Sequence, residues 1–278
     1  MIAFVASMCV ALPITLFPAA VLHKTKIIST TRKEKASLRI GQSCSRWLMR
    51  IIPFAKINVM TNDDEMDQSE PSIWVCNHTS MLDIFFLLAT DKKLRGKNKR
   101  PIKIIYWKGL EKNPVTGLLF KMCGFLPVDM EANGSGNTNS YKTSSFKSLL
   151  RGMKKAFDEG WDIGILPEGQ LNPSPEKGLQ PVFSGAFTMA RMSKRPIRMM
   201  GIHGLHKLWH GDENIGMTVT GRQVNIRAYP FGCKFDNSDQ FEDCFKSVVG
   251  HFGAHGYDHP DWRSQMNENC KPKEVTSN

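Results

Sequence analysis

A chain of 278 residues with 41% hydrophobic content is long enough for one large domain with appendages and too apolar to be disordered. Its formal net charge of +11 and pI near 9.4 call for an anionic partner, whether a membrane surface, a phosphorylated substrate or nucleic acid. The seven cysteines, at 9, 44, 76, 123, 233, 244 and 270, are odd in number and form no C-x-x-C pair, which excludes a zinc ribbon and reads as reduced thiols in a cytosol-facing protein.

The chain opens on Ile2 to Leu22, a run without a charged residue. As a helix it spans about 31 Å, close to the hydrocarbon core of a bilayer. Pro13 and Pro18 are better tolerated there than in a soluble helix. A cleaved signal peptide is the rival reading, with Pro18-Ala19-Ala20 as its cleavage region, but no basic residue precedes the apolar run. Lys24, Lys26, Arg32, Lys33, Lys35, Arg39, Arg46 and Arg50 follow against the single acid Glu34, a bias that puts the downstream side in the cytoplasm. From about Leu38 to Ile57, apolar residues interleaved with arginines predict a second, amphipathic helix at an interface or on a core. An acidic loop, 61–67, comes next.

Ile73-Trp74-Val75-Cys76 is apolar and preceded by Pro71, and predicts a short buried strand. The chain then turns through Asn77-His78-Thr79, with Ser80 as the expected helix N-cap and Asp83 in the first turn of the helix that follows. This places His78 on a strand-to-helix loop, where α/β folds keep chemistry, with Asp83 close enough to reach the imidazole. Asp83 as the acidic partner of a capping box with Ser80 is the plainer alternative.

Lys92 to Lys103 make a basic connection, read equally as a solvated loop or a phosphate- or lipid-binding patch. Strands are expected at 102–107, at Gly124-Phe125-Leu126-Pro127-Val128-Asp129, at 161–166 and at 197–202, with late strands at 217–219 and 224–227. Helices are expected near 117, over 146–157 and over 185–192, and a mobile polar loop over 131–146. The turn Pro167-Glu168-Gly169-Gln170 closes the 161–166 strand, where a carboxylate followed by glycine lets the backbone approach a ligand. Alternating strands and helices predict an α/β domain with a largely parallel central sheet flanked by helices, behind an N-terminal membrane-associated two-helix segment. The histidines at 203, 206 and 210, and those at 251, 255 and 259, lack a metal-ligand spacing, so no metal is expected. There is no G-x-S-x-G elbow, P-loop, G-x-G-x-x-G or H-E-x-x-H.

Together these residues resemble a family. Asn77-His78-Thr79-Ser80-Met81-Leu82-Asp83 resembles the first motif of the glycerolipid acyltransferases of the 1-acylglycerol-3-phosphate O-acyltransferase type, a histidine, four residues, then an aspartate. Gly124 to Asp129 resembles the second motif, Leu166-Pro167-Glu168-Gly169 the third, and Pro196-Ile197 the fourth. Two positions depart: Met130 and Leu171 stand where the family usually carries arginines that hold the acceptor's phosphate, and neither side chain can replace a guanidinium. Lys108, Lys121, Arg191 and Arg198 are the candidates for the missing charge.

The resemblance implies a membrane-associated helical segment over 1–60, an acyltransferase domain over 70–230 and a C-terminal extension over 231–278. It implies catalysis by His78 and Asp83, with Asn77, Gly124, Asp129, Glu168 and Gly169 at the substrate. The expected reaction moves a fatty acyl group from acyl-CoA or acyl carrier protein to the hydroxyl of lysophosphatidate, giving phosphatidate, with another lysolipid as the alternative acceptor. No cofactor beyond the acyl donor and no metal is implied. The expected partners are membrane lipids, acyl-CoA and the lysolipid, not nucleic acid. A non-catalytic lipid- or nucleic-acid-binding module would explain the charge but not His78, Asp83 and Glu168 together.

Overall fold

The computed structural model describes residues 2–52, 55–62, 66, 68–129, 143–213 and 222–270. The expected positions Met130 and 217–219, the polar loop up to 142 and most of the acidic 61–67 segment lie outside them.

Two long helices come first. α1 (Ile2–Lys24) buries Met8, Leu12, Leu16 and Ala19 along one face and leaves Val10, Ile14 and Phe17 exposed on the other. It is the one described helix long and apolar enough to cross a membrane. α2 (Thr30–Ile51) is capped by Ser29, whose hydroxyl accepts the Arg32 N–H, so the amphipathic helix starts earlier than its apolar residues announce. Its buried residues recur at helical spacing through Glu34, Leu38, Gln42, Ser45 and Met49. The outward face carries Arg32, Arg39, Arg46 and Arg50.

A seven-stranded sheet follows in the order β1-β7-β6-β2-β5-β3-β4, formed by β1 (Ala55–Met60), β2 (Ile73–Cys76), β3 (Ile102–Trp107), β4 (Leu126–Val128), β5 (Asp162–Ile165), β6 (Ile197–His203) and β7 (Arg222–Ala228). All pairs are parallel except β6 with β7. β2 lies between β5 and β6 and is buried along its whole length, which is why it reads as an unbroken apolar run. β1 overlaps the end of the stretch expected to be helical, at residues 55–57: its alternating, half-buried pattern is that of an edge strand, and it pairs only with β7.

The crossovers supply α3 (Asp83–Leu94), α4 (Pro114–Cys123), α5 (Thr143–Asp158) and α6 (Gly185–Ser193). The described part of the C-terminal region is helical and well packed. α7 (Ser238–Phe245) runs through a π turn into α8 (His251–His255), followed by α9 (Trp262–Cys270), and Phe241, Phe245, Val248 and Phe252 are fully buried. Cys233 is disulfide-bonded, which corrects the expectation of thiols throughout, because spacing in sequence does not reveal which sulfurs meet in space.

At the N-terminal ends of the strands, Arg95 of the connection read as a solvated loop or an anion-binding patch joins a buried ionic cluster. Arg95, 1% exposed, donates to Asp91 at 2.7 Å and to Asp162 at 2.6 Å, and its guanidinium lies over the Trp74 ring. The i,i+4 spacing of Asp91 and Arg95 was the available signal.

Candidate active site

His78 leaves the C-terminal end of β2, and the loops after β3, β5 and β6, together with Asp129 after β4, start at the same end of the sheet. This is where parallel α/β sheets place ligands. The imidazole Nδ1 lies 2.7 Å from Asp83 Oδ2, with the carboxylate wholly buried and the histidine side chain about one quarter exposed. The same Oδ2 accepts the backbone N–H of Thr79 at 2.6 Å and of Ser80 at 3.1 Å, while Oδ1 accepts the Thr79 hydroxyl. Four donors on one carboxylate fix it in place. With Nδ1–H donated to Asp83, Nε2 is left as the basic nitrogen.

The helix start differs from expectation. α3 begins at Asp83 itself, after Leu82, and Ser80 does not cap it. Instead the Ser80 hydroxyl accepts the Leu82 N–H and donates to the Trp209 carbonyl at 2.7 Å, which ties the loop to the segment after β6. Trp209 was missed in the sequence, and its only signal was an aromatic residue soon after a strand end.

Glu168 is fully buried, so its carboxylate faces the catalytic loop rather than open space. Oε1 accepts the His78 backbone N–H at 2.6 Å, and Oε2 accepts the Gln180 N–H at 2.8 Å and the Asn172 amide at 3.2 Å. Burial raises its pKa, against these hydrogen bonds, which lower it. Asn172, also missed in the sequence, donates its own N–H to the His78 carbonyl at 2.9 Å. The turn after β5 therefore grips the His78 peptide from both sides, with Gly169 at φ +66° making the bend.

Asn77 is buried as well, and its amide pairs with both the N–H and the carbonyl of Ile202, each at 2.8 Å, stapling the ends of β2 and β6. Gly124 forms no part of a strand. It closes α4 at φ +64°, and a Cβ there would lie 2.2 Å from Glu34 Oε1 on α2. Asp129 is partly exposed at the end of β4, with Lys108 Nζ 3.8 Å from its carboxylate. Of the seven expected site residues, His78 and Asp83 are hydrogen-bonded to each other, Asn77, Glu168 and Gly169 hold the backbone around them, Asp129 lies at the same end of the sheet after β4, and Gly124 lies before β4 at the opposite end, against Glu34.

A cavity of about 160 Å³ opens beside His78. Its walls are mostly apolar: Met8 from α1, Ile84 and Phe85 from α3, Leu110 and the α4 residues Val115 and Phe120, and Trp209. Such a lining suits a hydrocarbon chain. Among the candidate cations, Arg198 is buried on Ser72 Oγ and the Pro230 carbonyl at the other end of the sheet, and Lys121 pairs with Glu111 at 3.0 Å. Arg191 lines a different pocket, beside Lys234. Lys108 alone of the four follows a strand at the catalytic end. Leu171 packs toward Gly211. Among the described residues no His, Cys, Asp and Glu group is arranged to hold a metal.

A mostly parallel α/β sheet with a carboxylate-fixed histidine at its C-terminal end and an apolar cavity alongside defines the class of α/β protein to which the chain belongs. The comparisons narrow it. The model of the acyltransferase family matches residues 57–202, more than half the chain, and the protein belongs to that family. It is 29% identical over 154 residues to the chloroplastic 1-acyl-sn-glycerol-3-phosphate acyltransferase LPAT1 of Arabidopsis thaliana, covering 54% of this chain and 38% of that one. It is 27% identical over 158 residues to the chloroplastic 1-acyl-sn-glycerol-3-phosphate acyltransferase BAT2 of Brassica napus, covering 57% and 40%. The chain thus spans about two fifths of the length of these curated relatives. The crystal structure of the 1-acyl-sn-glycerophosphate (LPA) acyltransferase PlsC from Thermotoga maritima shares the fold, with a TM-score of 0.62 at 16% identity over 90% of this chain and 94% of that one.

Proposed function

We propose that this protein is an O-acyltransferase that moves a fatty acyl group from a thioester donor, acyl-CoA or acyl carrier protein, to the free hydroxyl of a lysophospholipid. The observation that carries this reading is the His78–Asp83 pair beside an apolar cavity at the C-terminal end of the sheet. An alcohol is a poor nucleophile at neutral pH and needs a positioned base. His78 Nε2 takes the hydroxyl proton as the oxygen attacks the thioester carbonyl. The tetrahedral intermediate then expels the thiolate, which takes a proton from the imidazolium. Asp83 holds the tautomer and stabilises the transient positive charge. No cofactor or metal enters these steps.

Lysophosphatidate is the leading acceptor, giving phosphatidate, and the names of the curated relatives support it. Lys108, beside Asp129 at the rim, is then the cation for its phosphate. Leu171 in the turn after β5 favours the second reading, a lysolipid without a phosphomonoester, because it offers no donor to a phosphate. The uncovered apolar face of α1 and the basic outer face of α2 support a membrane-associated protein whose catalytic domain collects lipid from the cytoplasmic face.

The test is transfer of a labelled acyl group from acyl-CoA, in detergent micelles, to a panel of lysophosphatidate, glycerol 3-phosphate and zwitterionic or neutral lysolipids, with His78→Ala as control. The reading stands if a lysolipid is acylated and the variant is inactive. Turnover that survives His78→Ala, or none with any acceptor, sinks it.

A further inference from the structure

A third pocket lies at the opposite end of the sheet from His78. It has a volume of about 350 Å³ and is walled by α2 and by the loop that leads into β3, through Lys35, Arg39, Gln42, Lys97, Lys99 and Pro101. Ile102, the next residue, is level with the start of β5, so the pocket and His78 are separated by about the length of a six-residue strand, roughly 20 Å. Four cations converge here, and nothing in acyl transfer uses them.

The charge balance of the neighbourhood shows what is left over. Asp91 is occupied by Arg95, by Gln42 at 2.7 Å and by Lys99. Asp162 is occupied by Arg95 and by the Trp74 indole, and Glu34 by Lys103 at 2.8 Å. Among the described residues no carboxylate pairs with Lys35, Arg39 or Lys97. Lys35 rests over the Trp161 ring, which holds its stem without neutralising its charge. Burial and the nearby Arg95 and Arg46 push Lys99 below the usual lysine range, although Asp91 opposes them. The pocket therefore carries positive charge that no described carboxylate offsets, with Arg39 and Lys97 exposed to an incoming anion and Lys35, Lys99 and Gln42 set deeper. Gln42 adds a polar wall, and Leu38 and Pro101 an apolar one.

We infer that this pocket is a binding site for a phosphate-bearing anion, distinct from the catalytic cleft. Lysine and arginine donors together suit a tetrahedral oxyanion, the arginine by paired N–H donors and the lysines as point charges. The basic, outward face of α2 continues from Arg39 to Arg46 and Arg50, so one source of the phosphate is a lipid headgroup and the other a soluble phosphate.

The experiment uses the full chain in detergent and reads binding of inorganic phosphate calorimetrically, at constant ionic strength against chloride. Arg39→Gln with Lys97→Gln should weaken phosphate binding about tenfold or more, since two charge-assisted contacts are lost. The charge-keeping pair Arg39→Lys with Lys97→Arg should retain it, which separates loss of charge from loss of fold. Lys108→Gln, at the catalytic end, should leave it intact. A second arm measures flotation with phosphatidylcholine vesicles with and without phosphatidylglycerol. A gain on phosphatidylglycerol that Arg39→Gln with Lys97→Gln removes, and Arg46→Gln with Arg50→Gln does not, identifies the headgroup as the source. Loss in the calorimetric arm alone identifies soluble phosphate. The inference is overturned if neither arm shows binding, if Lys108→Gln alone abolishes it, or if the Arg46 and Arg50 changes cost as much as those in the pocket.

Discussion

Oε1 of Glu168 accepts the backbone N–H of His78 at 2.6 Å across 90 residues of sequence. The carboxylate at the end of β5 thereby sets the peptide that carries the His78 imidazole, and it does not line the apolar cavity beside that histidine. Glu168→Gln replaces one acceptor oxygen with an NH₂ group that must face either the His78 N–H or the Gln180 N–H. One buried donor is then left unsatisfied, at a cost of about 1–3 kcal/mol in stability. Acyl transfer should fall while the Km for both substrates stays near wild type, because the loop loosens and no substrate contact is lost. A large rise in the acceptor Km alone would place Glu168 against the substrate.

Asp83→Asn probes the imidazole itself. The amide keeps the volume, and with its oxygen in the Oδ2 position it still accepts from His78 Nδ1–H, Thr79 N–H and Ser80 N–H while its NH₂ meets the Thr79 hydroxyl, but it carries no negative charge. The imidazolium formed as Nε2 takes the proton loses its counter-charge, and kcat should drop by about 10²–10⁴. Folding should be largely kept, so near-ultraviolet circular dichroism distinguishes lost chemistry from lost structure. Activity within a few-fold of wild type would mean that His78 does not act as the base.

The sequence displays β2 and β5 clearly because both are buried on both faces and read as apolar runs. His78 and Asp83 were legible because both partners of the pair sit on one loop-helix junction, five residues apart. The functions of Asn77 and Glu168 were not, since their partners are backbone groups on β6 and on the β2 loop, and nothing in a side chain announces which peptide it will meet. β1 was hidden for a different reason: Ala55 to Met60 follows directly on the apolar stripe of α2, and an edge strand buries too little to break that pattern. Arg95 reads in sequence as part of a basic connection, either solvated or anion-binding, whereas two buried carboxylates draw it inside.

The cavity beside His78 makes a claim about chain length. Val115 is on α4 and faces it together with Thr116 and Phe120. Val115→Phe adds bulk to the wall and should shift the preference to shorter acyl donors, with kcat/KM for a long-chain donor falling about tenfold relative to a short one, the scale set by one or two methylenes in an apolar pocket. Competition between labelled long- and short-chain acyl-CoA reads the ratio directly. An unchanged ratio with intact folding would assign the acyl chain to a different path.

The ionic cluster under the sheet sets the acid limit of stability. Burial pushes Asp91 upward, but Arg95 and Lys99 outweigh it, and the net pKa in the fold lies below the ordinary aspartate value. A carboxyl lowered by folding contributes stability that is complete above the unfolded pKa, about 3.9, and is lost as pH falls from there through the folded value. Asp162, raised by burial despite Arg95, acts in the opposite sense, so its contribution fades as pH rises through its own folded value. Asp91→Asn removes only the first of these. At pH 7 it leaves Arg95 with one carboxylate partner in a buried site and should cost about 3–5 kcal/mol. Below about pH 3.9 the gap between wild type and Asp91→Asn should narrow, because protonation takes the same charge from the wild type. Urea unfolding in detergent, followed by tryptophan fluorescence across this pH range, measures the gap, and a difference that stays constant with pH would show that Asp91 does not titrate with folding.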